Sequence, residues 1–121
     1  MPNVLIVDDS PVVRKVARRI LEGMNFKATE ASNGLEALAA CSLSMPHAMF
    51  VDSAMPEIDG FEFVRRVRKL PGGHDPRIVF CMCDNNVAQI ARAAHAGAND
   101  FMMKPFDRNG LAAKFSDLSG R

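Results

Sequence analysis

Asp8, Asp9, Asp52 and Lys104 are the residues of this chain whose types and places point to chemistry. Each stands at the end of a short apolar run: VLIV before Asp8 and Asp9, AMFV before Asp52, and FMM before Lys104. Any one of them alone reads as a solvated loop charge. Brought from the ends of neighbouring parallel strands, they point into one crevice. Three carboxylates held within a few ångströms repel strongly, and one lysine cannot offset them all. A hard divalent cation with oxygen ligands can, and Mg²⁺ is commonly held by one or two carboxylates plus phosphate oxygens. The grouping suits Mg²⁺ and a phosphoryl group.

The elements that must position these residues alternate along the chain. Val4 to Val7 is too short for a helix and rich in β-branched residues, which predicts a buried strand. Ser10 and Pro11 supply an N-cap and an N1 proline, and Val13, Val16, Ala17, Ile20 and Leu21 follow at helical spacing, with Gly23 as the C-cap. Phe26 to Ala31 reads as a second strand. Asn33-Gly34 then turns into a helix through Leu35, Ala37, Leu38 and Cys41. Ala48 to Val51 forms a third strand ending at Asp52. A helix follows from Phe61 to Leu70 with Phe61, Val64, Val67 and Leu70 inward, stopped by Pro71-Gly72-Gly73. Ile78 to Met82 is a fourth strand, and Val87 to Ala96 an alanine-rich helix closed by Gly97. Phe101 to Met103 is the fifth strand, and a last helix from Asp107 to Leu118 is weakened by Gly110. Near-continuous apolar strands alternating with helices predict an α/β fold: a five-stranded parallel sheet covered on both faces. Function in such folds gathers at the carboxyl ends of the strands.

The 121 residues have room for one domain, and 48% hydrophobic with 24% charged residues excludes disorder. A net charge of +1 gives no global reason to expect nucleic-acid or membrane binding, and no apolar run is long enough to cross a bilayer. Three cysteines argue against a disulfide framework. Cys81 and Cys83 form a C-x-C pair inside an apolar run, without a second ligand pair at metal spacing. His47, His74 and His95 are scattered and read as structural or solvated. Arg14, Lys15, Arg18 and Arg19, and again Arg65, Arg66, Arg68 and Lys69, read as solvated faces of amphipathic helices. No aromatic residue interleaves them, so a nucleic-acid platform is not expected.

The segments VLIVDDS, VDSAMPEIDGFEF, AGANDF and KPF together resemble the receiver domain of two-component response regulators over essentially the whole length. The resemblance implies a (βα)5 flavodoxin-like fold, with residues 1–121 as a single cytoplasmic receiver domain. It implies that Asp52 takes a phosphoryl group, in a Mg²⁺-dependent way, from a histidine kinase or histidine phosphotransfer protein. Output then passes to an unidentified protein target by surface contacts, with no turnover enzyme activity. It further implies that Asp8 and Asp9 hold the metal, Asp9 directly, together with Asp52 and the backbone carbonyl of Ala54. Lys104 pairs with the phosphoryl oxygens. With room for one helix after the fifth strand, a stand-alone receiver is expected.

The chain departs from the family at three positions that switch its surface. The family's Thr or Ser at the end of strand four falls on Met82, followed by Cys83, and neither has a hydroxyl. A thioether donates no hydrogen bond and a thiol is a weak donor. The aromatic residue of strand five is Phe101, without a phenolic hydroxyl, and it is expected to sit buried even without phosphate. A receiver-like adaptor or phosphate sink, indifferent to phosphate, is the alternative reading. An aspartate-nucleophile phosphohydrolase is disfavoured, because its D-x-D would stand at the nucleophile strand.

Overall fold

The computed structural model describes residues 2–83 and 86–118. Its strands are β1 (Asn3–Val7), β2 (Lys27–Ala31), β3 (Ala48–Asp52), β4 (Arg77–Met82) and β5 (Asp100–Met103). They form one parallel sheet in the order β2-β1-β3-β4-β5. The helices are α1 (Pro11–Gly23), α2 (Gly34–Leu43), α3 (Gly60–Arg68), α4 (Val87–Ala96) and α5 (Arg108–Phe115), and a 3₁₀ turn spans Ser116–Leu118. This is the flavodoxin-like order, whose switch point lies between β1 and β3. No helix among the described residues is long and apolar enough to cross a membrane.

Successive strand residues point to opposite faces, so each strand feeds two cores. Leu5, Val7, Met49, Val51, Phe80 and Met82 pack beneath α2, α3 and α4 with Phe61, Phe63 and Val64. Val4, Ile6, Phe50, Val79, Cys81 and Met102 pack beneath α1 and α5 with Ile20, Leu21, Leu111 and Phe115. Burying side chains of this size stabilises by roughly 1.5–3 kcal/mol each. The first residues past the strands inherit the alternation. Asp8, Asp52 and Lys104 therefore belong to the α1/α5 side, and Met82 to the α3/α4 side.

Local chemistry sets most helix starts. The side chains of Ser10, Asn33, Asp59 and Asp107 accept from the amides of Val13, Glu36, Glu62 and Gly110 at 3.3, 2.8, 2.9 and 2.7 Å. Helix ends deviate from expectation. Gly23 is still helical, Met24 is the cap, and the left-handed residue is Asn25 at φ 67°. A Cβ at Gly23 would lie 3.3 Å from the end of the Arg108 side chain, which is free to move aside. Helix α3 runs from Gly60 to Arg68 rather than from Phe61 to Leu70, and Phe63, not assigned inward from its spacing, is fully buried. The last helix keeps α geometry only to Phe115 before tightening to 3₁₀.

Arg68 corrects the reading of the second basic cluster as a solvated face. Its guanidinium donates to the carbonyls of Gly97 (2.7 and 3.0 Å), Gly73 (2.9 Å) and Pro76 (2.8 Å), and to Asn99 Oδ1 (3.0 Å). It ties the end of α3 to the loop before β4 and to the α4–β5 turn. Burial lowers its pKa. Arg68→Ala leaves several carbonyls without a donor and is expected to destabilise by roughly 2–4 kcal/mol in urea unfolding followed by circular dichroism. Arg66→Ala, which loses only an exposed pair with Glu62 at 2.9 Å, is expected to change stability by less than about 0.5 kcal/mol.

Candidate phosphoryl and metal site

The register Val7↔Val51 and Asp52↔Cys81 brings the ends of β1, β3 and β4 level, and Lys104 follows β5 at the same edge. The Lys104 amide donates to the Met82 carbonyl at 2.7 Å, which closes the edge. Asp8 is fully buried and Asp52 is 4% exposed, while Asp9 faces solvent. Carboxylate oxygens of Asp8, Asp9 and Asp52 lie within 4.8 Å of one another. The Lys104 ammonium stands 2.9 Å from Asp8 Oδ2 and 3.6 Å from Asp52 Oδ1. The four residues singled out from sequence are thus brought together.

The two buried carboxylates are held in place. Asp8 Oδ1 accepts from the Ser10 amide at 2.8 Å, at the mouth of α1, and the Asp8 carbonyl takes the Arg14 guanidinium at 2.7 Å. Asp52 Oδ1 accepts from the Ala54 amide at 3.3 Å. Behind it, a Cβ at Gly60 would clash with the Asp52 carbonyl oxygen, so only glycine lets α3 begin against the end of β3. Asp8 Oδ2 is buried, and although it faces Lys104 it takes no well-aligned hydrogen bond. A buried carboxylate oxygen with an open lone pair, next to two further carboxylates, is a donor set for a hard cation. Residues and metal fit.

Burial pushes the Asp52 carboxyl up to about 6, and the Asp8 and Asp9 charges add to that, against opposing pulls from Lys104 and the Ala54 amide. Burial also disfavours the Lys104 charge, but the close Asp8 carboxylate and the Asp52 charge outweigh it and raise its pKa.

The remaining sequence-predicted positions divide. Ala54 lies two residues past Asp52, with its amide on the Asp52 carboxylate. Met82 is buried at the end of β4 opposite Met103. Cys83 is exposed and lines an apolar groove with Val12, Val13, Val16, Lys104, Pro105 and Phe106. Phe101 is half-buried, packed against the core beneath α3 and α4. It lines a surface groove, and Lys114, held by Asp100 at 3.1 Å, places its ammonium 5.8 Å from the ring. Cys81 is buried with its thiol pushed up to about 12 by desolvation, and no cysteine joins a group of potential metal ligands among the described residues. His47 is structural, its Nδ1 accepting from the Asn3 amide at 3.0 Å. On α1, Arg14 and Arg18 both reach Glu30 at 3.0 Å, a pairing that spacing does not reveal.

The raised Asp52 pKa makes stability pH-dependent. The folded state keeps its proton to about pH 6, whereas the unfolded state loses it near 3.8. Between those values the folded state binds more protons, so Asp52 costs stability as pH rises. Asp52→Asn is expected to be more stable than wild type at pH 7.5 by about 2–3 kcal/mol without divalent cations. The gap should close as pH falls through 6 towards 4, as read by urea unfolding at each pH.

The comparisons agree with this geometry. A family model described as the response regulator receiver domain matches residues 4–116. The two-component response regulator ORR3 of Oryza sativa subsp. indica is 35% identical over 105 residues, which cover 86% of this chain and 80% of that protein. The chemotaxis response regulator CheY4 of Vibrio cholerae superposes with a TM-score of 0.92 at 27% identity, covering 98% of each chain. A putative response regulator from Chloroflexus aurantiacus superposes with a TM-score of 0.91 at 29% identity, covering 99% of this chain and 98% of that one. Fold, strand-end carboxylates and matched residues lead to one family: this chain belongs to the receiver domains of response regulators.

Proposed function

We propose that the chain accepts a phosphoryl group on Asp52 from a phosphohistidine of a kinase or phosphotransfer protein, and signals in the cytoplasm through protein contacts. The observation that carries this reading is the convergence of buried Asp8 and Asp52 with Asp9 and Lys104 at one sheet edge. An Asp52 carboxylate oxygen attacks phosphorus and forms the acyl phosphate. The donor's P–N bond breaks, and the imidazole keeps the electron pair and a proton. Lys104, already between Asp8 and Asp52, is within a side-chain rotation of a phosphoryl oxygen and serves there as a point charge. The Ala54 amide holds the attacking carboxylate in orientation.

Asp8, Asp9, Asp52 and the Ala54 carbonyl would hold Mg²⁺. When bound, it supplies neutralising charge for the acidic cluster and for the phosphoryl oxygens. A phosphate-indifferent adaptor is the second reading, and the buried Met82 thioether in place of a hydroxyl donor favours it.

Intact-mass spectrometry after incubation with Mg²⁺ and a small acyl-phosphate donor is expected to show one phosphoryl adduct. The adduct should be absent in Asp52→Asn, which retains shape but not the nucleophile. An adduct in Asp52→Asn at the wild-type level excludes this acceptor. Phosphorylation without any change in partner affinity would favour the adaptor. In thermal unfolding, millimolar Mg²⁺ is expected to raise the midpoint of wild type, since binding to the folded state alone stabilises it. Asp9→Ala should abolish that rise.

A further inference from the structure

A groove of about 610 Å³ runs between α4 and the loop that follows Asp52, lined by Ala54, Asp59, Phe61, Met82 and Arg92 among others. We propose that Arg92 is a positioning residue that passes the state of the Asp52 loop to α4 through its bridge to Asp59; the proposal rests on Asp52 being the phosphoacceptor.

Helix α4 is lightly seated. Of its residues only Ala93 and Ala96 are buried, Ile90 is half-buried and Val87 is exposed. Small side chains bury little apolar area, so packing alone fixes the helix weakly. Arg92 compensates from the α3 side. Its guanidinium carbon lies 4.1 Å from the centroid of the Phe61 ring, which packs at 5.0 Å against Phe80, and its Nη2 reaches Asp59 Oδ2 at 3.4 Å. Both partners are exposed enough, at 48% and 40%, for the bridge to be remade elsewhere.

Asp59 in turn is bound to the acceptor. Its other oxygen caps α3, and the neighbouring Gly60 amide donates to the Ser53 carbonyl at 3.0 Å. Gly60 sits too close to the Asp52 carbonyl for any Cβ. A rearrangement of residues 53–59 therefore moves Asp59. Phosphorylating Asp52 to the acyl phosphate would perturb these residues, because the oxygen on which the Ala54 amide now rests would carry or border the phosphoryl group. The added negative charge also competes with Asp59 for the Arg92 cation. The two states thus differ in their interaction with Arg92, which is the condition for a population shift. At the end of β4, Met82 offers no donor through which α4 could sense the phosphoryl group instead.

The test is hydrogen–deuterium exchange of α4 in wild type, Arg92→Ala and Asp59→Asn, each with and without Mg²⁺ and beryllofluoride as a phosphoryl mimic. Calorimetry follows uptake of the mimic. Asn at position 59 keeps an oxygen for the α3 cap and removes the charge. Wild type should bind the mimic and change its α4 exchange. In both variants that change should shrink by about fivefold while mimic affinity is retained, and the double variant should lose no more than either single one. A residue that merely propped α4 would raise its exchange without the mimic and leave the response to it intact. A wild-type-sized response in Arg92→Ala, or unchanged exchange of its free form, overturns the proposal. Failure of wild type itself to bind the mimic overturns the phosphoacceptor reading instead, and the proposal with it.

Discussion

Two carboxylates that water cannot reach stand side by side at the carboxyl edge of the sheet, with a third just outside. Left alone, like charges at such separations in a poorly solvated crevice would drive the strand ends apart. The fold withstands this because the strands carrying them are among its most buried parts. Val4, Ile6, Val7, Phe50 and Val51 are fully buried, and β1 and β3 pair directly along their length. Lys104 offsets part of the charge, and burial together with the remaining like charge keeps the Asp52 pKa raised. The site is poised because its binding partner for that excess charge comes from outside the chain.

This constraint explains why the site was legible in the sequence while much of its support was not. Alternation of apolar runs with helical spacing is local information, and so are the capping residues Ser10, Asn33 and Asp107. A parallel sheet then has one chemically active edge, so residues that end strands converge without any knowledge of distances. Asp8, Asp52 and Lys104 could be placed together on that argument alone. The helix ends could not. Gly23 looked like a C-cap because glycine adopts left-handed backbone most easily, but Gly23 stays helical and Asn25 takes that conformation.

Charged side chains failed in the same way. Arg65, Arg66 and Arg68 are near neighbours on one helix and look equivalent in composition. Arg65 and Arg66 pair with Glu62 on their own helix, as a solvated face would. Arg68, one turn beyond Arg65, meets carbonyls from two loops that the chain reaches only later. No spacing rule contains that information, because the partners are backbone groups whose positions depend on the finished sheet. Phe101 is a milder case. Its ring was expected buried because it carries no polar atom; it packs against the core but keeps one part at the surface, where the Lys114 ammonium, paired with Asp100, stands 5.8 Å from its centroid. A side chain without a polar group is free to be buried, but that freedom does not create the space.

The strand alternation also separates chemistry from readout. Asp52 belongs with Phe50 and Cys81 on the side of α1 and α5, and Met82 belongs with Phe80 on the side of α3 and α4. In the proposed relay, a signal that starts at the Asp52 carboxylate would cross the sheet edge to reach α4. Side-chain donors at the end of β4 could carry it across, but a buried thioether there contributes packing and no directional bond. The acceptor's own backbone remains. Asp52 runs into Ser53, whose carbonyl holds Gly60, and Gly60 opens α3 directly beneath α4. Coupling through a peptide chain with no room for a Cβ is stiff where a thioether contact is soft. In the proposed relay, the close fit at Gly60 would take the place of polarity at Met82.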